Sequence, residues 1–251
     1  MPPLRTLLSL HDDVVFTWRN KTTGQKVLRV KRRFAIFDLD RTITTGGTFT
    51  PFLLSTQKTL LARAALLSKL LPHMIAYKCG IIKRKTLKDK MLSAALDGVS
   101  RAKLSELSNT FVAIAVSSNL RPKAVEAIAR HKSNGDCLVL ATASVDFYAS
   151  VFASQLGFEI CVSTGTTYLE PSTTPIQTVG PNCYGAAKVE MVTAALAGQT
   201  GQPKNQQHWT FYSDHYSDVA MFELADEPYV ISPAAKTRRE AAKRNFPILD
   251  W

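Results

Sequence analysis

Six polar side chains in this 251-residue chain are spaced as a reaction centre would need them. Asp38 and Asp40 stand two positions apart at the end of the apolar run Phe34-Ala-Ile-Phe37. Side chains at i and i+2 lie on one face of a strand, so the two carboxylates start out converging. Clustered carboxylates repel each other, and a hard divalent cation such as Mg2+ relieves that repulsion. Thr142 closes a second apolar run, Asp136-Cys-Leu-Val-Leu-Ala141. Asp214 and Asp218 follow a third, His208-Trp-Thr-Phe-Tyr212, and Lys188 stands near the start of a helical tract. Taken singly, each has a plainer reading: acids in a strand-end turn, a hydroxyl or carboxylate (Asp146 included) capping the next helix, a solvated lysine. Three polar strand tips in one chain favour a shared site.

The elements that must position them are legible as an alternation. Short apolar runs ending abruptly in polar residues read as buried parallel strands, here over 34–37, 136–141, 159–163, 208–212 and 228–232. Helical spacing fills 121–130, where Pro122 suits a first turn, then 147–156, 186–196, 219–224 and a basic tract from about Ala234. Strands alternating with helices predict an α/β fold, a parallel sheet covered on both faces. Such sheets bind ligands beyond the C-terminal strand ends, where strand order reverses. Three helical tracts over 51–77, 86–96 and 102–116 interrupt the alternation after the first strand. The expected division is therefore a Rossmann-like core of 34–50 and 121–251, a helical cap of 51–120 and an N-terminal extension of 1–33. That extension reads as a β-hairpin of 14–18 and 26–30 around Asn20–Gly24, and 164–183 as an irregular Thr/Pro/Gly-rich excursion.

Composition sets outer limits. A net charge of +11 attracts an anionic partner, but neither aromatic platforms nor a reading helix accompany it, so no nucleic acid is expected. Four cysteines without Cys-x-x-Cys spacing argue against zinc and against a disulfide framework; Cys137 and Cys161 should be buried thiols. The apolar region over 6–10 is too short for a signal peptide, which makes the cytoplasm the expected location. Leu60 to Tyr77 is interrupted by Arg63, Lys69, Pro72 and His73 and is short for a bilayer. Its leucines are expected to pack the cap interior. The alternative is a helix resting on an anionic membrane through Arg63, Lys69, Lys78, Lys83, Arg84 and Lys85.

Asp38-Leu-Asp-Arg-Thr42 resembles the first motif, Asp-x-Asp-x-Thr, of the haloacid dehalogenase (HAD) superfamily. Thr142, Lys188 and Asp214-x-x-x-Asp218 are similar to its second, third and fourth motifs in order, over roughly residues 34–251. Residues 141–146, 183–188, 212–218 and 246–251 look like the phosphoserine-phosphatase-like branch, subfamily IB, whose helical cap of the C1 type lies between motifs one and two. The resemblance implies a Mg2+-dependent phosphatase acting through an aspartyl-phosphate, with Asp38 as nucleophile and Asp40 as general acid and then base. It implies Thr142 and Lys188 on phosphate oxygens, and Thr42, Arg41 and Ala143 as substrate-binding positions. Mg2+ would be held by Asp38, by the main-chain carbonyl of Asp40 and by Asp214, with Asp218 holding metal-bound water or anchoring Lys188. The implied partner is an anionic phosphorylated small molecule, a lipid phosphate among the candidates. The cap is expected to be mobile over the acidic strand tips.

Two departures narrow this. Arg41 stands where the family commonly has Gly, and Gly47 where phosphoserine phosphatases carry a substrate-binding Glu, which disfavours phosphoserine. Three alternatives stay open: a phosphotransferase passing phosphate to an alcohol, a lipid-phosphate phosphatase at the membrane surface with peripheral membrane contact, and a non-catalytic phosphate-binding protein. The last is disfavoured because none of Asp38, Asp40, Thr142, Lys188 and Asp214 is missing.

Overall fold

The computed structural model describes residues 15–19, 26–168 and 176–251. An antiparallel pair, β1 (Val15–Arg19) and β2 (Lys26–Val30), stands apart from the main sheet. The turn expected at 20–24 and the apolar region at 6–10 lie outside the described residues. The main sheet begins with β3 (Arg32–Phe37) and continues with β4 (Cys137–Val145), β5 (Ile160–Thr164), β8 (Gln207–Ser213), β9 (Glu227–Ile231) and β10 (Ile248–Leu249). Its order is β10-β9-β8-β3-β4-β5, all parallel. Five of these strands were expected. The sixth, β10, is two residues at the edge, too short to show a period.

β3 is central because both its faces are covered, which is why its sequence is apolar without alternation. Ala35 and Phe37 enter one apolar cluster, Phe34 and Ile36 the other. Strand order reverses here, with β4 and β5 to one side and β8, β9 and β10 to the other. Phe37 pairs with Leu140 on one side and Tyr212 on the other, so β3 and β8 end nearly level while β4 runs on to Val145. Asp38, Asp214 and the Ala141–Thr142 step are thereby brought to one edge.

The helices α5 (Pro122–Ser133), α6 (Asp146–Leu156), α7 (Ala186–Thr200), α8 (Val219–Leu224) and α9 (Ala235–Lys243) link the strands. A small antiparallel flap, β6 (Thr166–Tyr168) and β7 (Ile176–Thr178), replaces part of the irregular excursion expected there; residues 169–175 lie outside the description. Asp146 does not cap its helix: its carboxylate accepts from the Thr166 N–H at 3.0 Å and so ties the flap down. All four cysteines are unpaired; Cys137 is buried, whereas Cys161 is only half-buried.

Four helices lie between β3 and α5: α1 (Phe49–Ser55), α2 (Leu60–Lys78), α3 (Arg84–Leu96) and α4 (Arg101–Ser118). They form a cap joined to the core by an aromatic seam, Phe52 and Phe111 packing on Tyr148 at 5.0 and 5.9 Å. One continuous apolar cluster spans cap and sheet. The cap is thus not a loosely attached lid. The leucines of α2 depart from expectation. Only Leu66 and Leu70 are buried, while Leu60, Leu61, Leu67 and Leu71 face solvent. Even so, no helix among the described residues is long and apolar enough to cross a membrane.

This burial pattern makes α2 separable by mutation. Leu70→Ala should cost about 2–4 kcal/mol through transfer and cavity terms, whereas Leu67→Ala should stay within about 0.5 kcal/mol. Urea denaturation of the two variants checks this, and a larger loss for Leu67→Ala than for Leu70→Ala would mean that α2 packs on the opposite face.

Candidate active site

The strand tips open into a cavity of about 260 Å³ lined by Asp38, Asp40, Arg41, Ala143, Lys188 and Asp214, with Gly47, Arg84, Tyr184 and His215 among the other lining residues. Asp38 is placed by its own backbone, whose N–H donates to the Tyr212 carbonyl at 2.9 Å and continues the β3–β8 ladder by one residue. Lys188 reaches it from the first turn of α7. Gly185 starts that helix at φ 60°, ψ −134°, a conformation open to glycine. From there Lys188 Nζ donates to Asp38 Oδ1 at 2.9 Å and to Asp218 Oδ2 at 2.7 Å. Asp218 Oδ2 also accepts from Ser213 Oγ at 2.7 Å. Of the two roles expected for Asp218, this geometry favours anchoring Lys188.

Asp40 is held differently. After Asp38 the chain turns through Leu39–Ile43, and Arg41 sits at φ 61°, the left-handed region where glycine is at ease. The turn hands the Asp40 carboxylate to donors at the start of α1 and on β4. Oδ1 accepts from the Thr48 N–H at 2.6 Å and Oδ2 from Ser144 Oγ at 3.2 Å. Tyr148 donates in turn to Ser144 Oγ at 2.9 Å. Sequence reasoning missed Thr48 and Ser144, whose hydroxyls meet at 3.1 Å although they lie far apart in the chain.

Two residues expected to contact substrate lie outside the cavity lining. Thr42 is wholly buried with its Oγ1 unbonded, so it lies beneath the site. Thr142 is buried as well, its Oγ1 accepting from the Ser144 N–H at 3.0 Å. At that point the cavity is lined by Ala143. The reason is that β4 continues past Thr142 to Val145, with a register shift against β5.

The cap contributes a lysine that no motif announced. Lys88, from α3, is buried and donates to the Ala143 carbonyl at 2.6 Å and to Asn182 Oδ1 at 2.5 Å. Burial and the neighbouring Arg84 lower its pKa to about 8. Lys85 and Asp89 bind Thr178 of the flap, so α3 is clasped at two places. Arg84 itself stacks over the Tyr184 ring at 4.0 Å.

Electrostatics separate the groups. Burial pushes Asp38 up to about 8; Lys188 opposes this and Asp218, Asp40 and Asp214 add to it. Burial also raises Asp40, against the hydrogen bonds from Thr48 and Ser144. Asp214 is pushed up to about 6 by burial, with Arg41 opposing. Burial works against the charge of Lys188, but Asp218 and Asp38 outweigh it and hold the ammonium above the usual lysine range. Among the described residues no three acidic, histidine or cysteine side chains converge as a ready-made metal cluster. Asp40 and Asp218 have turned to other partners, which leaves Asp38 and Asp214. These two carboxylates, each raised in part by neighbouring acids, are hard oxygen donors of the kind that suits Mg2+.

The sequence matches the haloacid dehalogenase-like hydrolases over residues 35–223. The chain belongs to that family. A probable phosphatase of Mycobacterium tuberculosis is 28% identical over 227 residues, 88% of this chain and 76% of that protein. A Bordetella pertussis protein of unknown function superposes with a TM-score of 0.77 at 25% identity, covering 88% of this chain and 99% of the other. A probable phosphoserine phosphatase from Vibrio cholerae has the same fold, with a TM-score of 0.63 at 15% identity over 86% and 60% of the two chains. This hydrolase is therefore phosphoserine-phosphatase-like in fold, its parallel sheet and helical insertion included.

The raised Asp38 has a consequence for stability. Between the model-peptide value of 3.8 and about 8 the folded protein holds a proton that the unfolded chain has released. The stabilisation from this carboxyl is therefore complete below the unfolded value and is lost as pH rises through the folded one. In metal-free protein Asp38→Asn should add about 1–2 kcal/mol at pH 8, roughly 3–6 °C in Tm, and little at pH 4. Calorimetry in EDTA at both pH values checks it. A gain independent of pH would show that Asp38 is not strained by its burial.

Proposed function

We propose that this hydrolase cleaves a phosphate monoester through an aspartyl-phosphate on Asp38. The observation that carries the reading is the division between two neighbouring carboxylates: Asp38 faces Lys188 in the cavity, while Asp40 is buried and held by Thr48 and Ser144 with its pKa raised. One carboxylate poised to attack beside one able to carry a proton is what two-step phosphoryl transfer requires. The relatives support it, since one is called a probable phosphatase and another, from Neisseria meningitidis, a histidinol-phosphatase.

In this mechanism Lys188 holds Asp38 Oδ1, and Oδ2 attacks phosphorus from the ionised form of the carboxyl, which Lys188 and a bound cation favour against burial. The bond from phosphorus to the alcohol oxygen breaks as Asp40 gives that oxygen its proton. Asp40, now a base, takes a proton from water as the water oxygen attacks the same phosphorus. The Asp38–phosphorus bond then breaks, releasing inorganic phosphate and restoring both carboxyl groups. Lys188 stays charged throughout because Asp218 anchors it, and it offsets the negative charge on the phosphoryl oxygens. Mg2+, held by Asp38, Asp214 and the main chain of Asp40, would supply the remaining charge neutralisation. Arg41 and Arg84 among the cavity-lining residues suit an anionic substrate, and nothing lies within 4 Å of where a Gly47 side chain would begin. An amine-bearing substrate finds no acid there. Water rather than an alcohol is the acceptor we assign, which a product assay separates.

Turnover of a panel of phosphate monoesters with Mg2+ tests the reading. Asp38→Asn should abolish release of inorganic phosphate, and EDTA should do the same reversibly. Asp40→Asn should fold yet turn over at least ~100-fold more slowly, the loss being larger for alkyl than for aryl leaving groups. An Asp38→Asn variant as active as wild type sinks the nucleophile. Full rates for Asp40→Asn on an alkyl phosphate sink the acid.

A further inference from the structure

Helix α2 is apolar on two sides, and the chain covers only one of them. Leu66 and Leu70 point into the cap. At 100° per residue, Leu60, Leu67, Leu71 and Ile75 fall within a sector of about 80° on another side. All four are exposed, Leu60 to 80% and Leu71 to 56%. Leu61 and, in the turn after the helix, Ile81 extend the patch and are exposed to 84% and 76%. A helix apolar all round is ordinarily buried all round, and a contiguous exposed apolar stripe marks a surface that meets something else.

The charge around the stripe says what that is. Between Asp40 and Asp89 the chain holds no Asp or Glu but nine Lys and Arg. Lys88 is buried and Lys85 is bound to the flap, but Lys58, Arg63, Lys78 and Lys83 stand exposed. Lys78 continues the stripe at its C-terminal end, Arg63 flanks it, and Lys58 and Lys83 lie in the segments entering and leaving the helix; Lys69 is on the far side. A second copy of this chain would be a poor occupant, because a two-fold interface would set like charges against each other. We infer that the exposed face of α2, with the turn at 79–83, docks on an anionic lipid bilayer, leucines in the headgroup boundary and lysines on lipid phosphates. The docking places the cavity beside the membrane. Arg84, which lines the cavity, follows the turn directly, and its guanidinium lies 5.8 Å from the ring of Tyr77 in the last turn of α2. The inference stands on this surface and not on the hydrolytic reading, so binding and turnover can fail independently.

Flotation of the purified full chain with vesicles tests it. Protein should float with phosphatidylcholine–phosphatidylglycerol vesicles at low salt, stay behind with phosphatidylcholine alone, and be released by high salt. A triple variant, Leu67→Ser, Leu71→Ser and Ile75→Ser, should lose at least tenfold in vesicle affinity. Should that variant misfold by circular dichroism, Lys78→Glu with Lys83→Glu, both at exposed positions, should give the same loss. Wild-type protein that does not float, floats equally on neutral vesicles, or forms a dimer broken by the triple variant without binding vesicles overturns the proposal.

Discussion

The structure depends on one buried cation. Lys188 is almost wholly enclosed, and its ammonium rests between Asp38 and Asp218. Removing such charges from water costs several kcal/mol each, and only close, well-formed hydrogen bonds offset that. The geometry needed is demanding. β3 and β8 must end level so that Asp38 and Ser213 adjoin, and α7 must begin where its first turn overlooks both. Gly185 allows that start, and the 3₁₀ turn Tyr216–Asp218 brings the second acid beneath. Deleting Asp218, which also accepts from Ser213, leaves the lysine underpaired in a dry setting; deleting the lysine leaves two buried acids in mutual repulsion. The same three groups are therefore a constraint on the fold and the electrostatic centre of the site.

Around this centre the two carboxylates of the first motif are given different physics. They are neighbours in sequence, and a regular strand would point them together. The turn through Leu39–Ile43 gives them different partners instead, at the cost of a left-handed Arg41. A β-carbon in that region costs about 1–2 kcal/mol, which glycine would avoid. The arginine brings in return a cation that opposes the rise in Asp214's pKa. Asp38 faces the cavity and the ammonium, whereas Asp40 faces hydroxyls and an amide of neutral groups. Burial raises both, but only one has a cation in contact. Environment rather than residue type sets them apart.

That difference also marks how far the sequence could be read. β3 and β8 were legible because a strand covered on both faces is apolar throughout and stops where it meets solvent. Asp38 and Asp214 followed from those ends, and Lys188 from its similarity to the third motif. Thr142 was placed at a strand tip by the same logic, but β4 runs on to Val145 with a register shift against its neighbour, and Ala143 takes the cavity position. No periodicity encodes such a shift. Thr48, Ser144 and Lys88 were illegible for a different reason: they come from three separate elements and acquire meaning only when tertiary packing joins them. The leucines of α2 were misassigned because an apolar helix gives no sign of which side its own chain will cover.

The cap is held to the core in two chemically distinct ways, and this decides where it can open. At α1 and α4 the joint is the seam of Phe52 and Phe111 on Tyr148, continuous with the core cluster. Parting it would expose apolar surface at about 25 cal/mol per Å². At α3 polar contacts stand beside apolar ones: Lys88 on the Ala143 carbonyl and Asn182, Lys85 and Asp89 on Thr178, with Met91, Leu92, Ala95 and Leu96 in the apolar cluster. Opening there exchanges hydrogen bonds for water, so the net loss per bond is only about 0.5–1.5 kcal/mol, somewhat more where a charge takes part. A cap that moves as one body must break the dearer joint. The polar clasp is the cheaper of the two to exchange for water, and it sits on α3, the helix against which α2 and its exposed leucines pack.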